Sequence, residues 1–239
     1  MYSLSRTILV TGASSGIGKA ITEKLLHLGH RVIAISRNPD RQAQHGENFS
    51  SIAMDFSKLD KLPDQLKVLK KQFSDIDAII FSAGAGLFGN LEEFSYHQIQ
   101  HLLAVNFTGQ VFLTKAFLPA LKKQSCADLI YIGSEAALKG ARKGSIYCAS
   151  KFALRGFTQA LREECAKNNV RVSLINPGMV KTDFFEQLSF EPGHEPNQHL
   201  LAEDIAEAVA YILKARPGIV IDEINLNPAN KVVKNKRVK

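Results

Sequence analysis

The stretch TILVTGASSGIG, Thr7 to Gly18, decides the fold. Its first five residues, Thr7 to Thr11, are apolar or β-branched and stop at Gly12, which predicts a strand buried on both faces. Helical spacing starts at Ile17, runs to Leu28 and stops at Gly29, a natural C-terminal cap. Between them Gly12, Gly16 and Gly18 permit a sharp strand-to-helix turn. Backbone N–H groups of such a turn, with the positive end of the following helix, make a seat for a pyrophosphate. A glycine-rich turn alone is a weak signal; its position between a strand and a helix supplies the required context. A tight turn without a ligand is the competing reading.

Outward from this stretch, strand and helix alternate. Strands are expected at Arg31–Ser36, Ser51–Asp55, Ala78–Phe81, Leu129–Ile132, Val170–Ile175 and Gly218–Leu226. Helices are expected at Leu62–Phe73, from Ser95 to about Lys123, from near Tyr147 to about Lys167, and at Ala202–Lys214. Ser95 with Gln98 makes a capping-box signature at the start of the long helix. No repeat and no Pro/Gly/Ser linker interrupts the series. The pattern predicts a single α/β domain: a doubly wound, mostly parallel seven-stranded sheet with helices on both faces, Rossmann-like. Ligands of such sheets bind beyond the carboxyl ends of the strands. The glycine turn, Ser82–Gly84, Ser134 and Pro177–Gly178 all fall at such ends.

The end of the second strand bears on which dinucleotide fits. A free ribose hydroxyl usually meets an Asp or Glu there, whereas a 2′-phosphate needs a cation. This chain has Ser36 and Arg37, with no acid until Asp40. Arg37 is able to grip a phosphate with two parallel N–H bonds, so NADP(H) is expected in preference to NAD(H). A plain surface arginine is the alternative.

In GSIYCASKF, Gly144 to Phe152, Tyr147 precedes Lys151 by four residues. On a helix the two share a face. A fixed cation beside a phenol favours the phenolate, so a lowered Tyr147 pKa is expected. An ordinary packing pair is the alternative.

The 239 residues are 45% apolar, an ordinary composition for one large domain. Of the formal +7 charge, five cations sit in KVVKNKRVK, residues 231–239, leaving +2 for the rest. A global nucleic-acid footprint is therefore not indicated, and the tail reads as a solvated, frayed terminus. Cys126, Cys148 and Cys165 are scattered and odd in number, which suits a reducing, cytoplasmic setting. His97 and His101 lack the partners of a metal motif, and no metal is expected. No apolar run is long enough to span a bilayer, and MYSLSR is too short for a signal peptide.

With these stretches placed, the chain resembles the short-chain dehydrogenase/reductase family from about residue 6 to 228. The family's TGxxxGxG matches Thr11–Gly18, which implies cofactor contacts at Gly12, Ser14, Ser15, Gly16, Ile17 and Gly18. Its YxxxK matches Tyr147 and Lys151, its catalytic serine Ser134, and its helix asparagine Asn106. Asp55 matches the Asp that touches adenine. The NPGxxxT segment matches Asn176, Pro177, Gly178 and Thr182, with Val180 inside it, where the family holds the nicotinamide carboxamide. The family's Asn-Ala-Gly is Ser82, Ala83, Gly84 here, and this departure puts a sheet-bracing hydrogen bond in doubt.

The resemblance implies hydride transfer between nicotinamide and a small-molecule carbonyl or alcohol. Tyr147 is then acid or base, Lys151 holds the nicotinamide ribose, Ser134 bonds the substrate oxygen, and Asn106 orders a water next to Lys151. The ending RPGIVIDEINLNP is similar to that of family members acting on small hydroxy acids, so a small hydroxy acid, a ketone or an aldehyde is the implied substrate. Lys181–Leu201 is too long and irregular for an ordinary connection, and reads as a substrate lid carrying Phe184 and Phe185, with Phe88 lining the same pocket. The domain is thus residues 1–230, followed by the tail. Apolar residues on more than one face of the helices of Ser95–Lys123 and Tyr147–Lys167 need cover on several sides; the resemblance implies that these helices pair between subunits in a homodimer or homotetramer, and burial within one chain is the competing reading. A non-catalytic NADPH sensor and an adaptor acting through the basic tail are the alternatives.

Overall fold

The structure is a computed structural model that describes residues 5–39 and 46–236. Asp40, the first four residues of MYSLSR and the last three of the basic tail, all read above, lie outside those residues. Seven strands form one parallel sheet: β1 (Thr7–Thr11), β2 (Arg31–Ser36), β3 (Phe49–Ala53), β4 (Ala78–Phe81), β5 (Ala127–Ile132), β6 (Val170–Pro177) and β8 (Glu223–Leu226). Their order is β3-β2-β1-β4-β5-β6-β8, so the winding reverses between β1 and β4. That reversal opens a crevice at the carboxyl ends of these two strands.

Alternate residues of each strand enter opposite layers, as the period of two requires. Leu9, Ile33, Ile79, Phe81 and Tyr131 face α2 (Leu62–Gln72), α4 (Gly109–Leu121) and α5 (Ser145–Cys165). Ile8, Val10, Val32, Ala34 and Ile80 face α1 (Gly16–His27) and α6 (Ala202–Lys214). Both faces are dry, which explains why the strands read as continuous apolar runs rather than alternating ones.

A buried charge cluster braces the opposite end of the sheet. Asp128 is fully buried and accepts two hydrogen bonds from Arg171, both 2.8 Å, and one from Arg6 at 2.6 Å. Parallel register sets Asp128 against Arg171 across β5 and β6. Paired in this way, the carboxylate avoids the penalty of an isolated buried charge.

Three departures from the sequence reading bear on the site. The long helix is α3 (Tyr96–Leu103), then one π-helical turn at Ala104–Thr108, then α4; the capping box of Ser95 and Gln98 forms as expected. The strand expected over Gly218–Leu226 begins only at Glu223, after Gly218 takes a φ of 86°. The basic tail does not fray through Lys236. Val233–Asn235 forms β9, antiparallel to β7 (Phe190–Pro192) inside the expected lid.

Candidate active site

At the end of β1 the chain turns through Gly12 and Gly16, both left-handed with φ of 67° and 48°. A Cβ on Gly12 would stand 2.8 Å from Ala83 Cα, and one on Gly18 would stand 2.2 Å from the Gly12 carbonyl oxygen. Only glycine allows this close approach of backbone to backbone. The Ser15 side chain does not cap α1, so the first N–H groups of that helix stay free toward the cleft.

The neighbouring strand ends are stitched to this turn. Thr11 Oγ1 accepts from the N–H groups of Ser82 and Ala83 at 3.1 and 3.0 Å. Gln110, from α4, donates to the Ala83 carbonyl at 3.0 Å. These bonds brace the strand end where Ser82 lacks a side-chain amide. At the end of β2, Ser36 is 5% exposed and its hydroxyl has no partner among the described residues. The exposed Arg37 follows it at the cleft. Asp55 lines the same end and accepts from the Ser57 N–H and hydroxyl at 2.9 and 2.8 Å. Burial works to raise its pKa, but those bonds and the charges of Arg37 and His101 leave it below the usual value.

Tyr147 and Lys151 sit one turn apart on α5, 8% and 5% exposed. The Lys151 ammonium lies 5.9 Å from the centre of the Tyr147 ring and donates to the Ile132 carbonyl at 3.1 Å. The expectation of a lowered Tyr147 pKa is not met. Burial pushes the phenol up to about 12, against the opposing hydrogen bond with Ser134. Burial also pulls Lys151 down to about 8. The cation lies over the ring and bonds a carbonyl, so withdrawal from water outweighs its attraction for a phenolate.

Asn106 occupies the π turn and is fully buried. Its Oδ1 accepts from the Ala85 N–H at 2.8 Å, and its Nδ2 donates to the Ala85 carbonyl at 3.0 Å and the Ser150 hydroxyl at 3.2 Å. Ser150 in turn donates to the Tyr147 carbonyl at 2.7 Å. The amide thus ties the loop after β4 to the helix that carries Tyr147. A single π turn within an α-helix often marks such a site.

After β6, Gly178 donates its N–H to the Leu226 carbonyl at 2.7 Å. Val180 bridges to Leu200, and the Thr182 hydroxyl accepts from the Phe184 N–H at 3.4 Å. A Cβ on Gly16 would meet Thr182 at 3.3 Å, so this segment closes over the glycine turn. The expected lid consists of short turns at Asp183–Phe185 and Pro196–Gln198 with β7 between them. Its rings cover Tyr147: Phe184 is 6.1 Å from Tyr147 and 5.2 Å from Phe185, while Phe88 is 4.9 Å from Tyr147 and 5.0 Å from Phe190. The C-terminal segment holds this cover in place. β9 pairs with β7, Lys236 Nζ donates to the Phe185 and Glu186 carbonyls, and Lys231 pairs with Glu135 beside Ser134.

One cleft of about 1170 Å³ joins these parts. The residues singled out for cofactor or substrate in the sequence line it, except Asn106 and Asn176, which stand behind its wall; Asn176 donates to Asn225 Oδ1 at 3.0 Å. Ser36, Gln110, Ser150 and Lys231 complete the arrangement and were not singled out as site residues. A lone glutamine in the apolar stretch GQVFLTKAF is the one signal that pointed to any of them. The glycine cradle, the free N–H groups of α1 and the unpartnered Ser36 hydroxyl fit a phosphate-bearing dinucleotide. Among the described residues no group of three or more His, Cys, Asp or Glu is placed to hold a metal, and no helix is long and apolar enough to cross a membrane.

The description of short chain dehydrogenases matches residues 6–192. The chain belongs to the short-chain dehydrogenase family. As a member it is an oxidoreductase that acts on CH–OH or C=O groups with a nicotinamide cofactor. An uncharacterised oxidoreductase of Staphylococcus epidermidis is 31% identical over 227 residues, 93% of this chain and 97% of that protein. Among solved structures, an alcohol dehydrogenase of Thermococcus sibiricus complexed with 5-hydroxy-NADP superposes with a TM-score of 0.85 at 27% identity, covering 96% of this chain and 99% of that one. A metagenomic short-chain oxidoreductase in complex with NADP superposes at 0.79 with 31% identity, over 95% and 99%. A closed serine dehydrogenase complexed with NADP+ gives 0.80 at 26% identity, over 92% and 93%.

Proposed function

We propose that this dehydrogenase moves a hydride between NADP(H) and a carbonyl or alcohol carbon, with Tyr147 handling the proton. The observation that carries the reading is the Tyr147 phenol, which feels Ser134, with the Lys151 ammonium 5.9 Å from its ring centre, in the same cleft as the glycine cradle. When bound, the nicotinamide supplies the hydride in reduction and accepts it in oxidation.

Held near pKa 12, Tyr147 stays protonated through the neutral range. It gives its proton to the substrate oxygen as negative charge develops there, and its O–H bond is exchanged for one on the product alcohol. The Ser134 hydroxyl donates to the same oxygen. Lys151 favours the phenolate left on Tyr147. Oxidation calls for the phenolate at the start and gains as pH rises. Asn106 acts from behind the wall, fixing the Ala85 loop and, through Ser150, the helix position of Tyr147.

Gly12 and Ser14 to Gly18 would hold the pyrophosphate. Arg37 with the Ser36 hydroxyl would hold the 2′-phosphate, which favours NADP(H) over NAD(H); that two relatives were solved as NADP complexes supports NADP binding. Asp55, Ala83 and Gly84 line the stretch between. Pro177, Gly178, Val180 and Thr182 line the nicotinamide end with Tyr147 and Lys151. Phe88, Phe184 and Phe185 contact the substrate. A homodimer or homotetramer is part of this reading, supported by Phe152, 43% exposed on α5.

The test is NADPH oxidation followed at 340 nm against aldehydes, ketones and keto acids, with the reverse reaction on alcohols and hydroxy acids. The reading expects NADPH-dependent turnover of at least one class, and NADPH bound at least tenfold more tightly than NADH. Absence of turnover in every class by a protein that binds NADPH would refute the chemistry; equal binding of NADH would refute the role of Arg37.

A further inference from the structure

The substrate end of the cleft is divided by polarity. Next to Tyr147 the wall is aromatic, built from Phe88, Phe184 and Phe190. Past Phe88 it becomes the turn Leu138–Gly144, in which Lys139, Arg142 and Lys143 are exposed and line the cleft. A Cβ on Gly144 would come within 3.6 Å of Phe88 Cε1, which sets this turn against the ring's edge. Lys231 brings a further cation. The acids at this end are Glu135, engaged by Lys231, and Asp183. Glu93, which feels Lys143, is bonded by Asn90. Among the described residues no salt bridge neutralises Lys139, Arg142 or Lys143.

The backbone supplies a second observation. Lys143 has a φ of 61°, the one left-handed residue other than glycine among those described. Glycine takes that conformation freely, and this turn already contains Gly140 and Gly144. The Lys143 carbonyl accepts from the Gly89 N–H at 2.8 Å, which locks the turn to the loop carrying Phe88. A strained lysine kept at the mouth of a reactive cleft points to a use for its charge.

We propose that the substrate is a keto acid, or the matching hydroxy acid, in which an apolar segment separates the reacting carbon from an anionic group. The carboxylate docks on Arg142 and Lys143, the segment lies along Phe88 and Phe184, and the carbonyl meets Tyr147. This rests on the hydride-transfer reading for the reacting end. The turn that carries these cations meets the edge of Phe88, and Phe88 packs on Tyr147, so the proposal seats the carboxylate away from the reacting carbon and disfavours a small 2-hydroxy acid. The planar guanidinium of Arg142 suits a carboxylate bidentately.

The test uses the protein loaded with NADP+, which cannot reduce a ketone, so binding is read without turnover. Calorimetry compares aryl keto acids with two to four methylenes between carbonyl and carboxylate with their methyl esters. The best acid is expected to bind at least tenfold more tightly than its ester, with the preference shrinking at high salt. In the double variant Arg142→Gln, Lys143→Gly the preference falls to within twofold. Glycine suits the backbone at 143, so an unchanged unfolding transition confirms that the fold is kept; Lys143→Gly alone serves as a second variant and shows a partial loss. Equal binding of acid and ester, no binding of either, or a preference that survives the double variant overturns the proposal. Reduction of the ester by NADPH in the same preparation reports separately on the chemistry. An ester reduced without any preference for the acid sinks the anion site and leaves the hydride reading intact. An acid bound preferentially but never reduced does the opposite.

Discussion

Replacing Lys151 with methionine removes a charge that the fold holds at a cost. The residue is 5% exposed, and burial draws its pKa from 10.5 down to about 8. At about 1.4 kcal/mol per pH unit, that displacement corresponds to about 3 kcal/mol against the charged form. Between pH 8 and 10.5 the unfolded chain keeps a proton that the folded protein has lost, so Lys151's contribution to stability rises through that window. Below pH 8 the full penalty is present. Methionine keeps an unbranched apolar stem and no charge. It forfeits the hydrogen bond to the Ile132 carbonyl, worth about 1 kcal/mol. The variant is therefore expected to be more stable than the parent by about 2 kcal/mol at pH 7, a rise of about 4–8 °C in Tm for a chain of this size. The gain shrinks above pH 8 and is gone by about pH 10.5, while activity is lost at every pH. Urea denaturation of the cofactor-free proteins at pH 7 and pH 10, with activity measured in parallel, checks this. A variant no more stable than the parent at pH 7, or one whose gain is the same at both pH values, would refute the reasoning.

Arg37→Gln should weaken NADPH binding by about ten- to thirtyfold and leave NADH binding unchanged, as measured by NAD(P)H fluorescence titration, because only the phosphorylated ribose uses a charge-assisted bond. Gly18→Ala places a methyl group 2.2 Å from the Gly12 carbonyl oxygen. It should abolish NADPH binding in the same titration and destabilise the protein by about 2–4 kcal/mol in urea. Deleting residues 233–239 removes β9 and Lys236 but keeps Lys231. Steady-state kinetics should then show a substrate KM raised about tenfold with NADPH affinity within twofold, and limited proteolysis should newly cut within residues 183–195.

The sheet was legible because its strands are short apolar runs closed by glycine, proline or asparagine, and its helices carry a clear period. Features that depend on distant partners were not legible. β7 and β9 have three residues each and lie more than forty residues apart in the chain, so no local pattern shows their pairing. Read by its charges, the tail looked solvated; in the fold the Lys236 ammonium caps two carbonyls of the lid. Asn106 is a poor residue for a helix interior, but its π turn leaves no mark on the apolar spacing. Asp128 and Arg171 each look like a lone charge inside a strand until the register sets them side by side. Spacing alone revealed that Tyr147 and Lys151 share a helix face. Depth in the fold sets the sign of their pKa shifts, and four residues of sequence carry no measure of depth.

The proton on Tyr147 is the central claim, and Tyr147→Phe tests it most directly because the ring, its packing on Phe88 and the cofactor seat are all retained. With the best carbonyl substrate of the panel, kcat for NADPH oxidation should fall by about 10²–10⁴, with the NADPH Kd within twofold of the parent. A phenylalanine enzyme that keeps more than about a tenth of the parent kcat would contradict the account.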